Sequence, residues 1–129
     1  HEAHVEAALR RTVIDAVSGG CRIAAVLAGH DHDLQAWGPG CEEPGMPGVV
    51  VSGPSARGFR GPGPAHLRPC PGDATAVARY HAGPKSTGGF AWLSIDTTTG
   101  HTQVELIEAL GEGHIETLSA VAWGLPKVP

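Results

Sequence analysis

The residues best placed to do chemistry are Gly29-His30-Asp31-His32, which close the apolar run 23–28. Side chains of an extended chain alternate with period two, so His30 and His32 project to the same side. Two neutral imidazoles held that way bind one metal ion, or one ion each of a metal pair. A bare His-x-His is more commonly a surface or hydrogen-bonded pair, so the flanks must decide. The run before it is short, continuous and uncharged after Arg22, the pattern of a strand buried on both faces. Open α/β sheets place their ligands at the carboxyl ends of such strands. Gly29, with no Cβ, permits a turn or a close approach there.

The whole stretch, from the apolar strand through Gly-His-Asp-His to Asp33-Leu34-Gln35, resembles the last motif of the calcineurin-like metallophosphoesterases. It is most similar to the purple (tartrate-resistant) acid phosphatase-like group, whose motif reads Gly-His-Asp-His, a polar residue, then Leu-Gln. Val49-Val50-Val51-Ser52-Gly53 matches a strand that follows this motif in the family. The resemblance covers roughly residues 5–107, and about a dozen positions around the histidines carry its specificity.

It implies an α/β fold: the C-terminal half of a four-layer α/β/β/α sandwich, with a mixed sheet and a C-terminal β-hairpin. It implies hydrolysis of a small phosphate monoester by two metal ions, divalent or trivalent (Fe, Zn or Mn). A pair of metals clamps the phosphate, activates bound water and stabilises the leaving oxygen. By resemblance His30 binds the second metal and His32 the first. Asp31 and Asp33 are poor ligands, though an acidic neighbour can orient an imidazole. His4, with His1 as the alternative, matches the family's substrate-side histidine, a general acid toward the leaving group. The resemblance favours a periplasmic or secreted location over a cytoplasmic one.

The remaining ligands of such a centre are missing. The chain has no asparagine, hence no Gly-Asn-His, and no Asp-x-His. Gly72-Asp73-Ala74-Thr75-Ala76 imitates Gly-Asp-x-x-Asp but lacks its last ligand and follows the histidines instead of preceding them. The expectation is therefore a fragment, inactive alone, whose partner is the N-terminal half of the same domain. A non-catalytic binding module with a phosphoesterase-like half-sheet is the alternative. A mononuclear cupin-type site ranks last, because Ala24 and Ala36 stand where that pattern wants Gly and Glu.

Composition sets the outer bounds. The 129 residues, 19 of them Gly and 11 Pro, fit one small, loop-rich domain. A formal charge of −4 without a Lys/Arg cluster argues against nucleic acid. No apolar run approaches the roughly 20 residues needed to cross a bilayer, so no membrane partner is expected. No Cys-x-x-Cys exists to build a zinc ribbon. Cys21 is expected in the core, and Cys41 and Cys70 as unpaired thiols, with a disulfide between them as the alternative in an exported protein.

The elements that must position the histidines follow from periodicity. Residues 2–17 read as an amphipathic helix with Val5, Ala8, Leu9, Val13, Ala16 and Val17 on one stripe. Gly19-Gly20 stops it, and the strand 23–28 follows. Residues 34–37 and 49–52 are further strands, and 54–73, rich in Gly and Pro, cannot hold a regular element. Residues 74–81 fit either a short strand or a helical turn. Residues 90–96 and 102–107 form a hairpin about the turn 97–100. The metallophosphoesterase portion is expected over 1–110, and 111–129 as an unassigned tail with a strand at 118–123. His66, His81, His101 and His114 read as surface or loop residues.

Overall fold

The computed structural model describes residues 2–29, 34–41, 43–53, 66–69, 76–80 and 88–127. It is a mixed α/β structure with one helix and eight strands among those residues. Helix α1 spans Glu2–Ser18. Strands β1 (Ala25–Ala28), β2 (Leu34–Trp37), β3 (Gly48–Ser52), β4 (His66–Pro69) and β5 (Ala76–Tyr80) build a sheet in the order β1-β3-β2-β5-β4. Strands β6 (Gly88–Ile95), β7 (Thr102–Gly111) and β8 (His114–Trp123) form a second, antiparallel sheet in sequence order.

α1 ends where the glycine pair predicts. The Cys21 amide donates to Ala16 O at 2.9 Å and the Gly20 amide to Val17 O at 3.0 Å. With Gly20 at φ 98°, this is a Schellman stop, a left-handed backbone that glycine adopts without steric cost. The buried stripe differs from the expected one. Val17 is buried and Val13, Ile14 and Ala16 are half-buried, whereas Ala8 and Leu9 are exposed. Amphipathic spacing locates a face, but among the helix residues whose burial is described the covered members of that face lie in the C-terminal half.

The first sheet is mixed. β1 runs parallel to β3, and β2 runs antiparallel to both β3 and β5. β1 is not the doubly covered strand its apolar run predicts. It lies at the sheet edge, with Ala25 and Val26 half-buried and Leu27 66% exposed. An apolar run reports what the chain can bury, not whether a neighbour is present to bury it. A second correction concerns 54–73, where β4 occupies 66–69 and pairs with β5. Pro69 closes that strand, and an edge strand tolerates proline because one side of its ladder is unused. Residues 76–80, open between strand and helical turn in the sequence, are strand β5.

The two sheets pack face to face. Leu34 and Ala36 of β2 and Val50 of β3 meet Val104 and Leu106 of β7 and Trp123 of β8 in one buried cluster. Alternation explains the choice: Thr102, Val104 and Leu106 point inward while Gln103 and Glu105 face solvent. The strand expected at 118–123 begins earlier, at His114, and its last residue, Trp123, enters the core. Ser52 Oγ also links the sheets, accepting the Ala91 amide at 3.0 Å.

The turn between β6 and β7 is held by Asp96. Its Oδ1 accepts the amides of Thr98 at 2.8 Å and Thr99 at 3.1 Å. The Thr99 bond, then the Thr98 bond, hold this carboxyl below the usual carboxylate range, and the nearby His101 adds to the effect. A lowered carboxylate pKa means the turn is fully supported above the ordinary aspartate range and loses that support as pH falls through the lowered value. The Thr98 and Thr99 amide shifts should therefore titrate with a midpoint below that of an unperturbed aspartate, and Asp96→Asn should flatten both curves. A midpoint at or above the ordinary value would refute this account of the turn.

Candidate functional site

The histidine motif lies between two well-placed anchors. Gly29 follows the last residue of β1, and Leu34 opens β2; His30, Asp31, His32 and Asp33 lie outside the described residues. In the sheet β3 separates β1 from β2. Ala28 is registered opposite Val51, and Leu34 opposite Ser52. Ala28 and Leu34 therefore lie on opposite sides of the carboxyl end of β3.

Both anchors are explained by the sequence. Leu34 is fully buried and Gln35 nearly so, and the Trp37 indole N–H donates to Gln35 Oε1 at 2.8 Å. This bond satisfies a polar group that burial would otherwise leave costly. Gly29 is not sterically demanding: a Cβ there would lie 3.7 Å from Ser52 O, an ordinary contact. Its use as a close-approach residue finds no support among the described neighbours.

The other candidates are spread out. His4 lies on the first turns of α1 with an exposed side chain. His101, in the β6–β7 turn, and His114, which opens β8, are exposed as expected. His66 lies in strand β4. Asp73, His1 and His81 fall outside the described residues. Among the described residues no group of three or more His, Cys, Asp or Glu side chains could hold a metal ion, so a resident metal there has no complete ligand set to fit. No helix among them is long and apolar enough to cross a membrane.

The cysteines depart from expectation. Cys41 is disulfide-bonded, and Cys21, expected in the core, is free and exposed. The partner of Cys41 lies outside the described residues, where the sequence has one further cysteine, Cys70.

One feature had no sequence signal. A shallow cleft lined by Arg22, Ala24, Ile95, Asp96, Thr97, Gly100 and Leu125 lies at the amino end of β1, opposite to Gly29. Arg22 closes part of its rim by donating to Thr98 O at 2.6 Å. These residues come from three distant stretches, and only the folded chain brings them together.

No protein-family model, curated protein or solved structure matches this chain. What is established is a class: a mixed α/β chain whose five-stranded mixed sheet packs on a three-stranded antiparallel one.

Proposed function

We propose that this chain is the C-terminal portion of a two-metal phosphoesterase of the purple acid phosphatase-like kind. His30 and His32 contribute imidazole ligands, and the N-terminal half of the same domain contributes the carboxylates. The substrate is a small phosphate ester. The observation that carries the reading is that Gly-His-Asp-His follows directly, in sequence, the carboxyl end of β1, a strand that runs parallel to its neighbour β3. Carboxyl ends of parallel strands are where such sheets collect ligands. The sheet-on-sheet core fits the inner two layers of the four-layer sandwich. A disulfide at Cys41 fits an oxidising compartment, as the resemblance to exported phosphatases implies.

In the complete protein the metals would supply Lewis acidity and a water activated at neutral pH. The chain's own share would be to anchor the two ends of the motif, through the buried Leu34 and Gln35 on one side of β3 and the β1–β3 ladder on the other.

The test is to rejoin the chain to the N-terminal half encoded upstream and assay p-nitrophenyl phosphate with Fe, Zn or Mn. Metal-dependent hydrolysis that a chelator abolishes is expected. A folded product that binds none of these metals and leaves the ester intact would overturn the reading. It would favour the alternative, a non-catalytic module, whose mark is a monomeric, cooperatively melting 129-residue chain.

A further inference from the structure

We propose that the disulfide at Cys41 is closed by Cys70 and that this bond is a redox-sensitive staple. It holds β4 on β5, and its reduction releases β4 while β1, β3 and β2 stay paired. The proposal stands whether or not the chain hydrolyses esters.

The chain has three cysteines. Cys41 is disulfide-bonded and Cys21 is free, which leaves Cys70, the residue after Pro69. The sheet topology suits that pairing. β2 and β4 each run antiparallel to β5, so they share a direction. Ala36 is registered on Ala78, and Pro69 on Ala76. Both strands therefore run toward the amino end of β5, and each cysteine comes after the strand it follows in sequence. β5 lies between them, so the backbones of β2 and β4 stand about 10 Å apart, twice the strand spacing. A disulfide spans at most about 7 Å between Cα atoms, so it cannot join the two strands directly. The turn after β2 supplies the reach. Gly38-Pro39-Gly40 carries the chain past Trp37, and the Cys41 amide donates to Gly38 O at 3.1 Å. The Gly40 amide donates to Met46 O at 2.8 Å, with Gly40 at φ 71°.

β4 is the strand that needs such support. It has four residues, stands last in the sheet order and pairs, among the described residues, with β5 alone. Its last residue is a proline, which has no amide to donate. The stretch 54–73 around it is rich in glycine and proline, a composition that favours loop. β2 and β3 are held differently, through Leu34, Ala36 and Val50 in the core between the sheets. Closing a loop of about 30 residues restricts the unpaired chain and favours the paired state by roughly two to three orders of magnitude. The bond also bears on the segment 54–65, which carries Arg57 and Arg60. That segment leaves after Gly53 and returns at His66. Ser52 is registered on Leu34, and His66 on Arg79, which also faces Gln35. Both anchors thus lie at the end of the sheet where β2 begins, and releasing β4 frees one of them.

Peptide mapping of the unreduced chain tests the pairing. A crosslinked Cys41–Cys70 peptide is expected; a Cys41 that is unlinked, or joined to Cys21, would overturn the proposal. Amide exchange with and without dithiothreitol tests the staple. The reagent's two thiols pass two electrons and two protons to the bond through a mixed disulfide, leaving two cysteine thiols and the reagent's cyclic disulfide. On reduction the amides that donate across the β4–β5 ladder should exchange about a hundredfold faster, while those of the β1–β3 and β2–β3 ladders stay protected. Cys41→Ser without reductant should reproduce this pattern, and Cys21→Ser should leave both states unchanged. Equal exchange of the β4 amides in the two forms would overturn the proposal, because the bond would then hold nothing. Loss of protection across β2 and β3 as well would also overturn it, because the bond would then support the whole sheet.

Discussion

Replacing Trp123 by alanine is expected to cost about 3–5 kcal/mol, as truncation of a buried tryptophan typically does. Trp123 is 4% exposed and ties β8 to β3 and to the residue before β1. It arrives from the end of β8 and lies over Gly48, the first residue of β3. Its Nε1–H donates to Ala24 O at 3.0 Å, just before β1. Truncation would empty the core between the sheets and leave that carbonyl without its donor. The reciprocal change, Gly48→Ala, acts by crowding. A Cβ at position 48 would lie 2.2 Å from Trp123 Cε2 and 2.3 Å from Cζ2, distances real atoms do not share. The indole or the strand must move, at about 1–3 kcal/mol for an overpacked core. Urea midpoints of the two single variants and the double variant check the pair. In the Trp123→Ala background, Gly48→Ala should cost almost nothing, because the clashing ring is gone. Additive losses would mean that the two residues act independently and that this packing account is wrong.

Gly48 and Trp123 also mark where sequence reasoning stops. The strand at 49–52 is legible from three consecutive valines, and the last strand from the apolar residues in 118–123. That the end of one strand rests on a glycine opening the other, 75 positions earlier by their residue numbers, has no local signal. The elements read correctly are those with local causes. Gly19-Gly20 stops a helix because the left-handed turn needs glycine, and Asp96 shapes a turn because its carboxylate reaches amides two and three residues ahead. The misread elements depend on neighbours. β4 exists because β5 is beside it, in a stretch whose glycines and prolines argue for loop. β1 reads as interior from its own residues, yet among the described residues it pairs with β3 alone. Leu9 fails for the same reason.

The site was legible in a narrower sense. Its anchors, a strand before the motif and a strand after it, stand where the sequence puts them. Their position on the two sides of β3 was not legible, because strand order is non-local. The link from Ser52 Oγ to the Ala91 amide and the cleft beside Arg22 belong to the same category. The chemistry of the histidines still rests on their spacing and their flanks.

In the rejoined protein, His30→Ala and His32→Ala are each expected to lower kcat/KM for a phosphate ester by at least about a hundredfold. The reasoning is comparative. Losing a residue that merely orients a ligating histidine already costs about 10- to 100-fold, so losing the ligand itself should cost more. Metal content separates this from simple unfolding: each variant should lose bound metal while keeping the melting transition of the core, because Leu34 and Gln35 anchor β2 independently of the imidazoles. His4→Ala is the contrasting case. Were His4 the general acid toward the leaving group, its loss would lower kcat by about a hundredfold and remove the corresponding limb of the pH profile, with both metals retained. His4 is exposed on α1, so that role requires the N-terminal half to enclose it beside the substrate. Full metal occupancy and unchanged turnover in both His30→Ala and His32→Ala would remove the phosphoesterase assignment, whatever His4 does.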